Sequence, residues 1–200
     1  MPKESPAARS RNRRGEGGLL RNELVEAAGR LLEELAGVEA LSLRAVAREA
    51  GIAPQSLYLH FADRRELLTA VYAVRFAELH EVLTAAVEAE DGAAERLSAL
   101  CRAYVDYGLG HPGHYRVLFG TAGMPGWEPS VERMPGLTTF QLLADSVAAC
   151  GSKDPGATAA CVWAAMHGLI MLRQDRPSFP WPPLETLVRT MVDAHLAAAR

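Results

Sequence analysis

The chain has 200 residues, a formal net charge of −3 at pH 7, and 49% apolar residues. This length allows one large domain or a small domain plus a medium one. Period-two runs of β-branched residues are missing, so the composition favours close-packed helices and predicts no strand. The most apolar run, Cys161 to Leu172, is too short to span a bilayer, and the N-terminus lacks the apolar core of a signal peptide. Cys101, Cys150 and Cys161 lack paired spacing, which favours free thiols and predicts a cytoplasmic protein with no membrane partner.

Positive charge is concentrated at the N-terminus. The first 22 residues hold six basic and two acidic side chains, so they contribute +4 and the remainder contributes −7. Residues 1–18 are rich in Arg, Ser, Pro and Gly, which predicts a flexible basic arm. A basic arm before an acidic body is typical of chains that contact DNA, although a solvated tail gives the same pattern.

The spacing of apolar residues predicts helices along the rest of the chain. A first helix begins near Leu20 and ends before Gly37. Two short helices follow, at 43–50 with Ser42 as N-cap and from Pro54 to about Phe61. Longer helices are predicted at 64–88, with Asp63 as N-cap, and at 93–109, 112–120, 135–150, 155–174 and 184–199. Glycines and prolines predict irregular structure at 121–133 and an extended segment at 176–183.

The two short helices meet the steric requirements of a helix-turn-helix. Ala47 is small enough for two helices to cross closely, and Gly51 tolerates a left-handed turn. The inward-facing apolar residues are Val46, Ala50, Ile52 and Leu57. The second helix would then present its outer face to a DNA major groove.

The stretch LSLRAVAREAGIAPQSLYLHFADRRELL, residues 41–68, resembles the tetracycline-repressor (TetR) family. It has the family's Ser-led second helix, a Gly turn, a recognition helix ending in Leu-Tyr-x-His-Phe, and a basic residue opening the fourth helix. The resemblance implies an all-α fold with a three-helix DNA-binding domain at 19–64. A connecting helix then leads into a helical ligand-binding and dimerisation domain at 65–200. Shorter resemblances to one group of TetR C-terminal domains lie at 111–120 and 163–169.

Residue chemistry and this resemblance together predict the DNA contacts. The predicted contact residues are Ser42, Arg44, Pro54, Gln55, Ser56, Tyr58, His60 and Arg64. Gln55 suits adenine in the major groove, whereas Tyr58, His60 and Arg64 suit phosphates. Ala53 departs from the family, which often has Ser or Thr there, so the recognition helix lacks its usual side-chain cap. Leu59 fits either contact with a thymine methyl group or packing within the chain.

The resemblance also implies a ligand pocket in the C-terminal body. Its predicted lining is Leu100, Tyr104, Tyr107, Tyr115, Phe119, Trp127, Phe140, Trp163, Met166, His167 and Ile170. Aromatic and Met side chains with a few polar tips suit an apolar small molecule, although each of these residues also fits an ordinary core. The apolar faces of helices 155–174 and 184–199 would pair with a second subunit in a four-helix interface.

The sequence therefore predicts a ligand-responsive repressor, which binds a palindromic operator as a homodimer and is released by a largely apolar effector. No nucleophile elbow, P-loop or dinucleotide motif indicates an enzyme, and no cofactor is expected. His111 and His114 could bind zinc, but no third ligand is evident, so no metal site is predicted. An interaction module that has lost DNA binding is the remaining alternative, against which Arg44 and Arg64 argue.

Overall fold

The computed structural model describes residues 17–35, 37–120 and 135–198, which form nine α-helices and one short 3-10 helix. The α-helices are α1 (Gly17–Glu34), α2 (Leu43–Glu49), α3 (Pro54–Leu57), α4 (Arg64–Glu88), α5 (Ala93–Gly110), α6 (Pro112–Phe119), α7 (Pro135–Ala149), α8 (Pro155–Asp175) and α9 (Leu184–Ala198). The 3-10 helix (Val38–Ala40) joins α1 to α2. These three ranges contain no strand, and the all-α prediction is confirmed.

The first three helices enclose a small core of fully buried side chains. Leu24 from α1, Val46 and Ala47 from α2, and Leu57 from α3 are all inaccessible to solvent. Phe61, which follows α3, is equally buried, and the guanidinium of Arg21 lies 4.6 Å from the centre of its ring. Burial on this scale holds α3 against α2, since four residues of helix are too few to be stable alone.

α4 is a continuous helix of 25 residues, about 37 Å long, that joins this core to the rest of the chain. The Asp63 carboxylate accepts a hydrogen bond of 2.8 Å from the backbone N–H of Glu66, which confirms the predicted N-cap. The Glu66 side chain in turn accepts from the backbone N–H of Ala62 at 2.8 Å. α4 contacts α1 near its start, and it packs against α5, α6 and α7.

The remaining helices form a bundle in which α5 is central, because it contacts α4, α6, α7, α8 and α9. α8 is 21 residues long and mostly apolar, yet only 22% of its most apolar 18-residue stretch is buried within the chain. The sequence analysis considered only residues 161–172, which are too short to span a bilayer. The whole of α8 is long and apolar enough to do so, by length and composition. Much of the surface of α8 is therefore apolar and exposed in the single chain.

Most helix ends agree with the sequence prediction to within one residue. α1 begins at Gly17, three residues earlier than predicted. α3 ends at Leu57 rather than near Phe61, because the following residues form tighter turns in which the N–H of His60 donates to the Leu57 carbonyl at 2.9 Å. The predicted arm at 1–18 lies almost entirely outside the described residues, as does the predicted irregular segment at 121–133. Cys101, Cys150 and Cys161 form no disulfide, in agreement with the prediction, and the Cys150 Sγ donates to the Ala93 carbonyl at 3.3 Å.

Candidate functional site

The turn between α2 and α3 has the backbone geometry that the sequence predicted. Gly51 adopts a φ of +67°, in the left-handed region that favours glycine. The N–H of Gly51 donates to the Arg48 carbonyl at 3.1 Å, and the N–H of Ile52 donates to the Ala47 carbonyl at 2.9 Å. This pair of bonds is a Schellman motif, which ends α2 sharply and directs the chain into α3.

The outer face of α3 and its flanks is open to solvent. Arg44, Pro54 and Gln55 are exposed, and Tyr58 keeps 53% of its surface accessible. Leu59 is 84% exposed, so within the described chain it does not serve as a packing residue. These exposed side chains are free to contact a DNA groove or a phosphate.

Ser42 and Ala53 show how the two helix starts differ. The Ser42 hydroxyl accepts from the Ala45 N–H at 3.2 Å, which caps α2 and leaves its own proton free to donate to a phosphate. Ala53 makes no side-chain cap at α3, as predicted, and Pro54 occupies the first turn. α3 is thus positioned by its turn and its buried Leu57 rather than by capping.

Arg64 has a structural role that the sequence did not indicate. Its Nη1 donates to the Glu39 carbonyl at 2.6 Å and lies 3.5 Å from the Val38 carbonyl. The guanidinium therefore ties the start of α4 to the 3-10 helix before α2, while its charge still adds to the positive end of the α4 dipole. Arg65, the next residue, is exposed and offers a second cation at the same helix end.

A cavity of about 510 Å³ lies among α4, α5, α6, α7 and α8. Its lining is almost wholly apolar and aromatic, and among the described residues it consists of Tyr72, Phe76, Leu83, Leu100, Tyr104, Leu118, Phe119, Gly136, Leu137, Thr139, Phe140, Leu143, Ala160, Trp163 and Met166. None of these side chains is charged. The volume and the lining are typical of a site for a small, largely apolar molecule.

A series of hydrogen bonds links four side chains beside this cavity. The Trp163 indole N–H donates to the Tyr104 hydroxyl at 2.9 Å, and the Tyr104 and Tyr115 hydroxyls are 3.0 Å apart. The Tyr115 hydroxyl lies 2.7 Å from Nδ1 of His167. Burial raises the pKa of Tyr104 to about 12 and lowers the pKa of His167, so these side chains carry no charge near neutral pH.

Thr139 is the polar exception in the cavity wall. Thr139 is only 7% exposed, and its Oγ1 has no hydrogen-bond partner within the described chain. A buried hydroxyl without a partner costs stability, so a group that bonds to it from the cavity would be favoured.

A second polar cluster lies where α6 begins against α1. The Glu33 carboxylate accepts from the backbone N–H groups of Gly113 at 2.8 Å and His114 at 3.1 Å. The side chains of Glu33, His111 and His114 bring one potential ligand atom each to within 4.8 Å of one another. Desolvation lowers the pKa of His114.

Two family models match the chain on either side of α4. The model for bacterial regulatory proteins of the tetR family matches residues 24–71, and that for the tetracyclin repressor-like C-terminal domain matches residues 97–195. The chain belongs to the TetR family. This places it among the bacterial transcriptional regulators of that family.

Relatives of this TetR-family chain agree with the assignment. The HTH-type transcriptional regulator Mb1846 of Mycobacterium bovis is 28% identical over 105 residues, which are 52% of this chain and 44% of the relative. The chain thus spans less than half the length of the curated relatives it matches. A protein of unknown function from Rhodococcus sp. RHA1 aligns with a TM-score of 0.75 and 29% identity, covering 98% of this chain and 100% of that one. A TetR family regulator from Marinobacter aquaeolei VT8 has the same fold, with a TM-score of 0.70, 18% identity, and coverage of 91% and 98%.

The predicted pocket residues of this TetR-family chain fall into three groups. The cavity is lined by Leu100, Tyr104, Phe119, Phe140, Trp163 and Met166. Four others are not among the residues that line the cavity: Tyr115 and His167 bond to each other, Tyr107 donates to the Arg75 carbonyl at 3.4 Å, and Ile170 is fully buried. The sequence could not separate the two groups, because an aromatic or apolar residue at helical spacing fits a core and a pocket equally well. Trp127 lies outside the described residues.

The sequence analysis did not predict that residues of α4 would line the cavity. Tyr72, Phe76 and Leu83 share one face of α4, at separations of four and seven residues, and all three line the cavity. The spacing was visible in the sequence, but nothing in it showed which helices would enclose a void. Thr139 was missed because a lone threonine carries no pattern.

Proposed function

We propose that the chain is a ligand-responsive transcriptional repressor whose homodimer binds a palindromic operator and releases it on binding a largely apolar small molecule. One observation carries this proposal, namely the shared use of α4. Leu67, Leu68 and Val71 on α4 are fully buried near its start, and Tyr72 and Phe76 on the same helix line the cavity. A molecule that fills the cavity therefore presses on the helix that packs against α1, and α1 in turn packs against α2 of the helix-turn-helix.

The proposed domain division follows from this arrangement. Residues 19–64 would bind DNA, residues 65–200 would sense the effector and dimerise, and residues 1–18 would form a basic arm. Two copies of α3 in a dimer would enter successive major grooves, which are about 34–36 Å apart. A shift of α4 by the effector would change that separation, and the free energy of DNA binding would change with it.

The proposed DNA contacts divide into positioning and reading groups. Tyr58, His60 and Arg64 would contact phosphates together with Ser42, since hydroxyl, imidazole and guanidinium groups all donate to phosphate oxygens. Gln55 is the proposed base reader, supported by its exposed place in the first turn of α3. Leu59 is exposed enough to meet a thymine methyl group.

Homodimerisation through α8 and α9 is supported by the apolar surface of α8. Along one face of the helix, Cys161, Ala164 and Leu172 are exposed, and Gly168 has open space around its Cα. Two copies could approach closely along these small side chains, and the second subunit would cover the surface. Ile170, Val188 and Val192 are buried within their own chain, so they would support the interface from beneath. With this face covered, the protein would be a cytoplasmic dimer with no membrane partner.

The effector we propose is uncharged in its buried part and carries one hydrogen-bonding group. The apolar wall favours a hydrocarbon or aromatic body, and the Thr139 hydroxyl offers the unmatched polar contact. Tyr104 and Trp163 already bond to each other, so a ligand gains less from them. Thr139→Val removes the hydroxyl at nearly constant volume, and it should weaken an effector with a matching polar group about tenfold.

The decisive experiment selects DNA fragments of the source genome that the purified chain retains. The proposal expects a common inverted-repeat sequence with half-sites about one helical turn apart. Binding of the labelled repeat should then be reversed by an apolar effector, and Ala160→Phe at the cavity wall should block the reversal while leaving DNA binding intact. Ala148→Phe on the exposed face of α7 is the matched control, which should respond like the original chain. Failure to enrich any sequence would contradict the proposal.

A further inference from the structure

The junction of α1 and α6 carries a side-chain cluster that regulation by an apolar effector does not use. Glu33 lies in the last turn of α1, His111 directly precedes α6, and His114 lies in its first turn. Their ligand atoms lie within 4.8 Å of one another. The sequence alone showed only the two histidines, because the third residue comes from a distant helix.

The surroundings of His114 suit a bound cation. Its Nε2 lies 3.3 Å from the Gly29 carbonyl oxygen, which only accepts hydrogen bonds, so the tautomer with its proton on Nε2 can donate to it. In that tautomer Nδ1 carries a lone pair and lies 3.3 Å from Oε1 of Glu33. A metal ion bound between these two atoms would turn their mutual repulsion into coordination.

We propose that Glu33, His111 and His114 bind one zinc ion. Tetrahedral zinc with bonds of 2.0–2.1 Å separates neighbouring ligand atoms by about 3.3 Å, which is the observed distance from His114 Nδ1 to Glu33 Oε1. The bond from Nε2 to the Gly29 carbonyl is the outer-shell contact that orients most metal-binding histidines. His111 is exposed and its ring lies 5.5 Å from that of His114 at an angle of 12°, so rotation of the His111 side chain would be needed to bring in the third ligand, with a fourth position left for water.

The negative charge around the cluster favours a bound divalent cation. Arg75 is buried next to Gly29, but it is engaged by the Glu26 carboxylate at 2.6 Å and the Glu78 carboxylate at 2.8 Å. With neutral histidines, these three groups and Glu33 carry a net charge of −2, which a zinc ion neutralises. Two imidazoles and one carboxylate select zinc over calcium or magnesium, since both of those prefer oxygen ligands.

The ion would join α1 of the DNA-binding domain to the start of α6. Since α6 also lines the cavity through Leu118 and Phe119, zinc would stiffen a contact between the effector site and the DNA-binding helices. This regulatory consequence rests on the proposed function, whereas zinc binding itself does not.

The test measures zinc binding to the metal-free full-length chain by titration calorimetry in the absence of DNA. The measurement uses a Cys161→Ser background, because Cys161 is an exposed thiol that can hold zinc adventitiously. We expect one zinc per chain and a loss of affinity of about tenfold or more in His111→Ala. His111 is the variant of choice because its exposed side chain makes the least contribution to folding. Asp106→Ala, an exposed carboxylate on the same stretch of chain, is the control and should bind zinc like the parent.

Two outcomes overturn the site. One is the absence of zinc binding by the parent, which would mean that His114 and Glu33 interact through a proton on Nδ1 instead. The other is equal zinc affinity in the parent and in His111→Ala, which places the ion elsewhere. Operator binding is measured separately with and without zinc, so that a failure of the repressor proposal leaves the result on the metal intact.

Discussion

Gly113 offers a sharp test of the contact between α1 and α6. It is the second residue of α6, and a Cβ added there would lie 2.2 Å from the Leu32 carbonyl oxygen and 2.6 Å from the Glu33 Cα. Both are backbone atoms of a helix, so no side-chain rotation can relieve the clash. Replacing Gly113 with Ala therefore forces the two helices apart by roughly 1 Å.

The magnitude follows from three contributions. Overpacking of this kind costs about 1–3 kcal/mol. Separation of the helices also weakens the bonds from the Gly113 and His114 N–H groups to Glu33, each contributing about 0.5–1.5 kcal/mol, with the higher end applying to a charged acceptor. Ala is the better helix former by up to about 1 kcal/mol, which offsets part of the loss. We expect the free energy of unfolding to fall by about 2 kcal/mol.

Equilibrium urea unfolding, followed by far-ultraviolet circular dichroism, measures this change. Protein concentration is held constant, because a dimer's apparent stability depends on it. Gly18→Ala in α1 is the matched control, since an added Cβ there meets nothing within 4 Å and should leave stability unchanged or slightly raised. If Gly113→Ala unfolds at the same urea concentration as Gly18→Ala, α1 and α6 do not pack as closely as described.

Three further predictions concern DNA contact, pH and thiol chemistry. Arg64→Ala should weaken binding to all DNA sequences and flatten its salt dependence, whereas Gln55→Ala should change base preference; equal losses on every sequence would refute base reading by Gln55. Burial lowers the pKa of His167, so the unfolded chain takes up a proton more readily and stability should be lost as the pH falls below about 6.5; His167→Gln should reduce that slope in unfolding measurements between pH 8 and about 5. Burial raises the pKa of Cys101 to about 12 and should protect it from a thiol reagent until the chain unfolds, whereas Cys161 is exposed in the single chain and should be protected only while the proposed dimer covers α8; rapid labelling of Cys101 in the native protein would contradict its burial.

The sequence by itself determined the helices, the helix-turn-helix and the family. Helical periodicity and capping are local, so Ser42, Gly51 and Asp63 fixed their helix ends without knowledge of the tertiary structure. The recognition motif is equally local, because one turn and two short helices place its side chains. The end of α3 was less well predicted, since tight turns continue the same apolar spacing beyond Leu57.

Only the tertiary structure decided which distant residues meet. An apolar or aromatic side chain has the same spacing whether it fills a core or lines a void, so Tyr115 and Ile170 could not be separated from Phe119 and Met166 in advance. Arg64 could not be linked to the Glu39 carbonyl, nor Glu33 to His114, because those contacts depend on how separate helices pack. Local chemistry thus specified the DNA-facing motif, whereas the cavity and the junction between α1 and α6 arise from helix packing.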